Sequence, residues 1–338
     1  MQYRALGKTG LRVSAVGFGG IPIQRIDAAG TRVLMELLAE KGVNFIDTAR
    51  GYTVSESYLG EALSGGLRER FFLATKSMAR DRESMARDIE TSLCQLKTDH
   101  IDLYQLHNIK TDADFELAFS ERGAVTAIED AMRAGRVRHL GASAHSAKSF
   151  ERLLGYPQIE TIMFPYNIVE NQGEALMARA AAQGVGVIAM KPLAGGNITD
   201  GTLALRYILQ NPNCAVAIPG MASPDEAAAN VAAAEIEGPL TPEELAACEA
   251  IRTELSGSFC RRCGYCAPCT AGIDIPSVFV LENYVKHYDL ADWARARYEA
   301  APVKASACVG CGLCEARCPY ELPIREKLRA AARTFGER

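Results

Sequence analysis

Over the first 255 or so residues, short apolar runs alternate with amphipathic stretches. The runs AVGFGG, VNFID, FFLATK, IDLYQLH, RHLGAS, TIMFPYN, VIAMK and VAIPG predict strands ending near Gly20, Asp47, Lys76, His107, Ser143, Asn167, Lys191 and Gly220. Between them lie helix-favouring segments such as TRVLMELLAEKG and RESMARDIETSLCQLK. In the second of these, Met85, Ile89, Leu93 and Leu96 recur at helical spacing. From Asp47 to Gly220 the strand ends are 29, 31, 36, 24, 24 and 29 residues apart. That is the size of a βα repeat, and eight such strands fit an α/β fold of the (β/α)8 TIM-barrel type, about 250 residues long. Strands that are apolar along most of their length also suit a parallel sheet buried on both faces. An open doubly wound sheet is the alternative, but no GxGxxG turn follows an early strand. Ahead of the first barrel strand, YRALGKTGLRVSAV predicts a hairpin around GKTG that caps the barrel bottom.

The rhythm stops after SGSF at Ser256–Phe259, which reads as a linker. The pattern therefore predicts a barrel over residues 1–257 and a small, mainly α-helical domain over 258–338. In the latter, two cysteine runs flank a helical middle from Ile275 to Ala301, and a charged helix follows from about Pro323 to Thr334.

Composition narrows the setting. A formal net charge of −4 argues against nucleic-acid or anionic-membrane partners. Eight of the 11 cysteines fall between Cys260 and Cys318. The start, MQYRALGKTG, carries no basic-then-apolar signal, and no 18-residue apolar window predicts a membrane span. These features predict a soluble, cytoplasmic protein whose clustered thiolates bind metal and do not form disulfides. Cys308-x2-Cys311-x2-Cys314-x3-Cys318-Pro319 is the bacterial ferredoxin spacing for a [4Fe–4S] cluster. The first run, Cys260, Cys263, Cys266 and Cys269, is one residue shorter and lacks the proline. Eight cysteines match two clusters, and by the ferredoxin analogy Cys318 serves the first run's cluster and Cys269 the second's. A single cluster and structural zinc remain alternatives. Cys94, Cys214 and Cys248 read as buried, inert thiols.

Active sites of such barrels form at the carboxyl ends of the strands. Asp47, Lys76 and His107 end three consecutive predicted strands, and Tyr52 lies in the loop after Asp47. Taken singly, each has an ordinary structural reading. Together they form a device for moving a proton at a carbonyl or alcohol oxygen. An ammonium favours a phenolate, a carboxylate keeps the ammonium charged, and a neutral imidazole orients the oxygen. The set holds no strong nucleophile, which disfavours covalent hydrolysis.

FIDTARGY, ATKS and LYQLHN resemble the motif blocks of the aldo-keto reductases, as do the opening YRALGKTGLRVSAVGFGG and the IPG followed by Asn230. The resemblance covers about residues 1–255. It implies hydride transfer between NAD(H) or NADP(H) and an aldehyde, ketone or alcohol. Tyr52 would be the general acid/base, Lys76 would depress its pKa, Asp47 would pair with Lys76, and His107 would orient the carbonyl oxygen. It also implies cofactor contacts at Gly20, Ser143, Met163, Lys191, Pro192, Leu193, Gly220, Ser223, Glu226 and Asn230. Ala144 and Met163 stand where many members have Asn and Gln, and the seventh-strand segment MKPLAGG lacks the stacking aromatic. From Val216 to Asn230 there is no Lys or Arg, whereas Asp225 and Glu226 are present, which leans the expectation towards NAD. The same acids also suit the first turn of a helix after Ser223. Ile21, Pro22 and Ile23 read as an apolar wall at the mouth.

From Cys260 onward, CGYCAPC…GIDIP and CVGCGLCEARCP resemble the dicluster ferredoxin-like domain of one branch of that family. Nicotinamide moves two electrons and a cluster one, and no flavin signature bridges them. Three readings follow. The clusters brace or regulate a carbonyl reductase, or they exchange electrons with a ferredoxin-like partner. In the third reading the chain is a non-catalytic nicotinamide-binding redox sensor that docks a partner.

Overall fold

The computed structural model describes residues 1–337, which divide into two compact units. One holds Met1–Leu193 with Asp200–Leu240; the other holds Ala194–Thr199 with the chain from Thr241 onward.

The first unit opens with an antiparallel hairpin, β1 (Tyr3–Ala5) and β2 (Arg12–Ser14). Eight parallel strands follow: β3 (Phe18–Gly19), β4 (Phe45–Asp47), β5 (Phe72–Ser77), β6 (Ile101–Leu106), β7 (Val137–Ser143), β8 (Thr161–Pro165), β9 (Gly186–Met190) and β10 (Val216–Ile218). They neighbour one another in chain order. Parallel bridges from Val16 to Ala217 and from Gly19 to Gly220 bring β3 against β10 and close the barrel. The interior is filled by Phe45, Ala74, Leu103, Met163, Ile188 and Val216, joined by Leu6 and Val13 from the hairpin. The hairpin therefore plugs one end, and Lys8 N–H donates to the Gly184 carbonyl just before β9 (2.6 Å).

Helices α1 (Ala28–Glu40), α2 (Ser55–Ala62), α3 (Arg82–Gln95), α4 (Asp112–Ala118), α5 (Ala124–Arg133), α6 (Ala147–Leu153), α7 (Glu174–Ala182), α8 (Gly201–Leu209) and α9 (Pro224–Ala233) fill the connections. Their starts follow from their caps. The Asp81 carboxylate accepts from Ser84 N–H at α3 and the Ser223 hydroxyl from Glu226 N–H at α9, where Pro224 fits the first turn. On α3, Met85, Ile89 and Leu93 are buried, as the helical spacing predicts. Cys94 corrects the sequence expectation: it is exposed, because the next helical position turns about 100° away from Leu93, whereas Cys214 and Cys248 are buried.

The second unit contains α10 (Pro242–Ser256), α11 (Ile275–His287), α12 (Ala291–Glu299), the single turn α13 (Leu313–Ala316) and α14 (Ile324–Thr334). Ile275, Val278, Phe279, Tyr298 and Leu328 form its core with Cys266 and Cys314; Cys260, Cys269, Cys308 and Cys318 pack against it. The excursion Ala194–Thr199 lies on α11. A Cβ on Gly196 would fall 2.6 Å from the His287 Cβ, and its φ of +87° also calls for glycine. No helix among the described residues is long and apolar enough to cross a membrane.

Candidate active site

Three neighbouring strands deliver the polar centre. Asp47 closes β4, Lys76 is the penultimate residue of β5, and Gln105 lies opposite Lys76 on β6. Lys76 and Asp47 are only 1% and 2% exposed. The Lys76 ammonium donates to Asp47 Oδ2 (2.5 Å) and to the Thr48 carbonyl (2.8 Å); Asp47 Oδ1 accepts from Gln105 Nε2 (3.2 Å). Burial pushes the Asp47 carboxyl up and the Lys76 ammonium down, and each charge opposes the other's shift. The short contact, with a backbone carbonyl and an amide completing the shell, favours the ionised pair.

The β4 loop places Tyr52. Arg50 N–H donates to the Lys76 carbonyl (3.0 Å), Tyr52 N–H to Ala49 (3.0 Å) and Ser55 N–H to Tyr52 (2.9 Å), so the chain folds tightly into α2. The Ser55 hydroxyl lies 2.8 Å from the Thr48 hydroxyl and donates to the Gly20 carbonyl at 2.9 Å. Lys76 Nζ then stands 4.7 Å from the Tyr52 ring centroid. The His107 ring meets Tyr52 edge-on, with centroids 5.9 Å apart and planes at 88°. His107 follows β6, anchored by its N–H to the Ser77 carbonyl (2.8 Å) and by Arg80, which donates to its carbonyl (2.8 Å). Its Nδ1 is buried with no hydrogen-bond partner. Burial, with the cations Lys76, Arg80 and Lys191 around it, holds its pKa well below the ordinary value, so the ring is neutral near pH 7.

Glu56 escapes the sequence pattern. It is 1% exposed on α2, accepts from the Thr75 hydroxyl (2.7 Å) and pairs with Arg50, and its charge favours the protonated form of Lys76. Its only sequence signal is an acid in the first turn of a helix, which normally reads as dipole compensation. Gln105 likewise hides within an apolar strand.

Gly20, Ser143, Lys191, Pro192, Leu193 and Gly220 lie at or just beyond the carboxyl ends of β3, β7, β9 and β10. Ser143 Oγ accepts from Asn108 N–H (2.7 Å). Met163 sits inside β8, packed in the barrel interior, and offers no polar group to an amide. Asn230 is buried two turns into α9. Ser223 and Glu226 cap α9: Glu226 Oε2 accepts from Ala222 N–H (2.6 Å), and its Oε1 lies 3.5 Å from Arg25. A count of residues 216–230 finds no cation, but the fold brings Arg25 there from the loop after β3. Asp225 keeps the local balance negative. In the apolar wall, Ile23 is fully buried in the core and does not line the mouth, whereas Ile21 is half-buried.

In the second unit, Cys269 joins Cys308, Cys311 and Cys314 in lining one cavity, with Ala271, Ile275, Leu328 and Arg325. Thr270 Oγ lies 3.3 Å from Cys311 Sγ. Burial raises the Cys263 thiol, with Cys318 adding to the effect; burial also pushes Cys266 up to about 12, with Cys260, Cys263 and Cys314 contributing. Among the described residues, no three His, Cys, Asp or Glu side chains converge on a single-ion site. The cavity brings Cys269 of the first run together with three cysteines of the second.

Comparison with known proteins agrees with both units. The profile of the Aldo/keto reductase family matches residues 15–202 and 197–253, and that of a 4Fe-4S dicluster domain matches residues 259–323. The uncharacterized oxidoreductase YrpG of Bacillus subtilis (strain 168) is 31% identical over 230 residues, 58% of this chain and 68% of its own. The L-galactose dehydrogenase of Arabidopsis thaliana is 28% identical over 287 residues, covering 69% and 88% of the two chains. Among solved structures, the holo form of aldo-keto reductase AKR11C1 from Bacillus halodurans is similar at a TM-score of 0.65 and 28% identity, over 74% of this chain and 96% of that one. The closed eight-stranded barrel, its polar centre and these matches agree: the chain belongs to the aldo/keto reductase family, with a C-terminal 4Fe-4S dicluster domain.

Proposed function

We propose that the barrel reduces an aldehyde or ketone, or oxidises the corresponding alcohol, with a nicotinamide cofactor held over Asp47, Tyr52, Lys76 and His107. Bound NAD(P)H supplies hydride to the carbonyl carbon. Tyr52 donates the proton that the carbonyl oxygen takes up, and Lys76 stabilises the phenolate left behind. Asp47 keeps the ammonium in place. The neutral His107 orients the carbonyl oxygen. The observation that carries this reading is the Lys76 ammonium, held by Asp47 and 4.7 Å from the Tyr52 ring centroid. Gly20, Ser143, Lys191–Leu193 and the Gly220–Glu226 loop ring the same barrel end and would hold the cofactor, whereas Met163 fits it less well. Tyr52→Phe, assayed over aldehydes, ketones and sugars with both cofactors, should abolish reduction; an unchanged rate removes the enzymatic claim.

Asp225 and Glu226 favour NAD over NADP, since a carboxylate accepts from a ribose hydroxyl and repels a phosphate. A hundredfold preference for NADPH in dissociation constants would reject this.

The donor sets support two [4Fe–4S] clusters, one held by Cys269, Cys308, Cys311 and Cys314 and the other by Cys260, Cys263, Cys266 and Cys318. Iron, sulfide and zinc analysis of anaerobically purified protein separates two clusters, one cluster and zinc. The exposure of Cys311 favours electron exchange with an outside carrier as a second role beside a structural one.

A further inference from the structure

After β9 the chain serves two places in succession. Lys191, Pro192 and Leu193 follow the strand at the barrel end, and Ala194–Thr199 belong to the cysteine-rich unit. The Leu193 and Asn230 side chains converge at the start of α8, 3.7 Å and 3.9 Å from where a Cβ on Gly201 would stand. Both residues are among the cofactor contacts that the family resemblance implies. The residues after Leu193 then turn onto α11. A Cβ on Gly195 would lie 3.5 Å from Asn283 Nδ2 and 3.9 Å from the Tyr288 hydroxyl, and Gly196 abuts His287.

This path is not one that a free loop favours. Lys191, Ala194, Gly195 and Gly196 have φ values of +57°, +49°, +68° and +87°. Lys191 and Ala194 are strained there, and the surroundings must offset the strain. Asn167 Nδ2 donates to the Lys191 carbonyl (3.0 Å) and Asn197 Nδ2 to the Ala194 carbonyl (2.7 Å). At Gly195 and Gly196 the nearest atoms beyond the adjoining chain come from α11 and from Tyr288 just after it. The other end of α11 reaches the cysteines. Ile275 lines the cavity of Cys269, Cys308, Cys311 and Cys314, and Val278 and Phe279 share a core with Cys266 and Cys314. Ile275 and His287 are about 18 Å apart along this one helix.

We propose that α11 positions the cofactor loop, so that filling the cysteine sites with clusters tightens the binding of nicotinamide nucleotide. The inference rests on the cofactor and cluster readings given under Proposed function. Without iron, nothing joins the sulfurs beside Ile275, and the core around Val278 and Phe279 loosens. α11 then no longer fixes Gly195 and Gly196. Nucleotide binding must order the loop itself, which lowers affinity. Linkage makes the effect reciprocal: bound nucleotide makes iron harder to remove.

The test uses the full chain, purified anaerobically, with iron and sulfide measured before and after chelation and the barrel fold checked by circular dichroism. NAD+ and NADP+ are titrated calorimetrically, since the oxidised nucleotides cannot reduce a cluster. The preferred one should bind about tenfold tighter to iron-loaded than to iron-depleted protein. It should also raise the chelator concentration that removes half the iron. Gly196→Ala, loaded with iron, forces a methyl towards His287 and should weaken nucleotide binding about tenfold. It should raise the cofactor KM, leave kcat at saturating cofactor unchanged, and abolish the protection of iron. A merely structural contact would lower Tm and leave both affinity and protection as in the parent. If Gly196→Ala does not load iron, His287→Ala decides, with an expected loss of about threefold. If iron removal melts the barrel, the chelator titration of loaded protein decides. Equal affinity with and without iron, no protection of iron by nucleotide, or full coupling in the decisive variant overturns the proposal. Protein without iron and sulfide overturns the cluster reading as well, and protein that binds neither nucleotide overturns the cofactor reading as well. Iron-loaded protein that binds nucleotide without this coupling overturns the present proposal alone.

Discussion

Lys76→Met tests the catalytic centre most sharply, because it removes one charge from between two partners. The ammonium lies 4.7 Å from the Tyr52 ring centroid. At an effective dielectric of about 20, a full negative charge at that distance is stabilised by about 3.5 kcal/mol, a few hundredfold in rate. The Asp47 carboxylate, 2.5 Å from the same ammonium, cancels part of that field. The expected fall in kcat is therefore between about 10-fold and 300-fold. The substitution also leaves Asp47 buried without its counter-charge, which costs about 3–5 kcal/mol of stability. Stability and rate can be parted with Lys76→Met/Asp47→Asn, which removes both charges. The double variant should regain most of the lost Tm but none of the lost kcat. Cofactor absorbance at saturating substrate gives the rate, and thermal unfolding gives the stability. Recovery of kcat along with Tm would refute the reasoning, since Lys76 would then serve only to hold the barrel together.

Further expectations concern pH, packing and cofactor choice. His107 is held neutral in the fold but protonates freely in the unfolded chain, so its contribution is complete above about pH 6.5 and is lost as pH falls through the lower folded value. Tm measured from pH 7.5 to 5 should drop on acidification, and His107→Asn should flatten that drop; parallel curves would count against a buried neutral imidazole. Gly60 lies in α2, where an added Cβ would sit 2.1 Å from the Gln95 carbonyl oxygen. Gly60→Ala should therefore destabilise by about 2–3 kcal/mol in denaturant titration, and a neutral result would mean that α2 and α3 can separate cheaply. Glu226→Arg removes the partner of Arg25 and adds a second cation, so NADPH should gain roughly tenfold over NADH in relative affinity by fluorescence titration. An unchanged ratio would place the 2′-position elsewhere.

The barrel was legible because each βα repeat writes the same pattern and each parallel strand must be apolar on both faces. That is why FFLATK and IDLYQL stand out, and why Asp47, Lys76 and His107 can be aligned without coordinates. What stayed hidden depends on which repeats touch. Arg50, Glu56 and Thr75 come from the loop, helix and strand around one turn of the barrel, and none has a periodic signature. Arg25 and Glu226 meet only because β3 closes on β10 across nearly the whole length of the barrel sequence. The cysteine spacings pointed to candidate ligands, and the ferredoxin analogy already grouped Cys269 with the second run, beside which the fold places it in one cavity. The exposure of Cys94 turned on a single helical step.

The six residues Ala194–Thr199 make the second unit discontinuous in the chain. A ribosome lays down this fragment some forty residues before the rest of that unit emerges. Until then the fragment has no α11 to lie on, and Gly196 has no His287 to face. A gene cut after Leu240 would likewise yield a barrel with a loop tailored to something missing. Moving the cysteine-rich part onto another barrel with Gly196 still facing His287 would mean moving these six residues of the seventh βα loop with it.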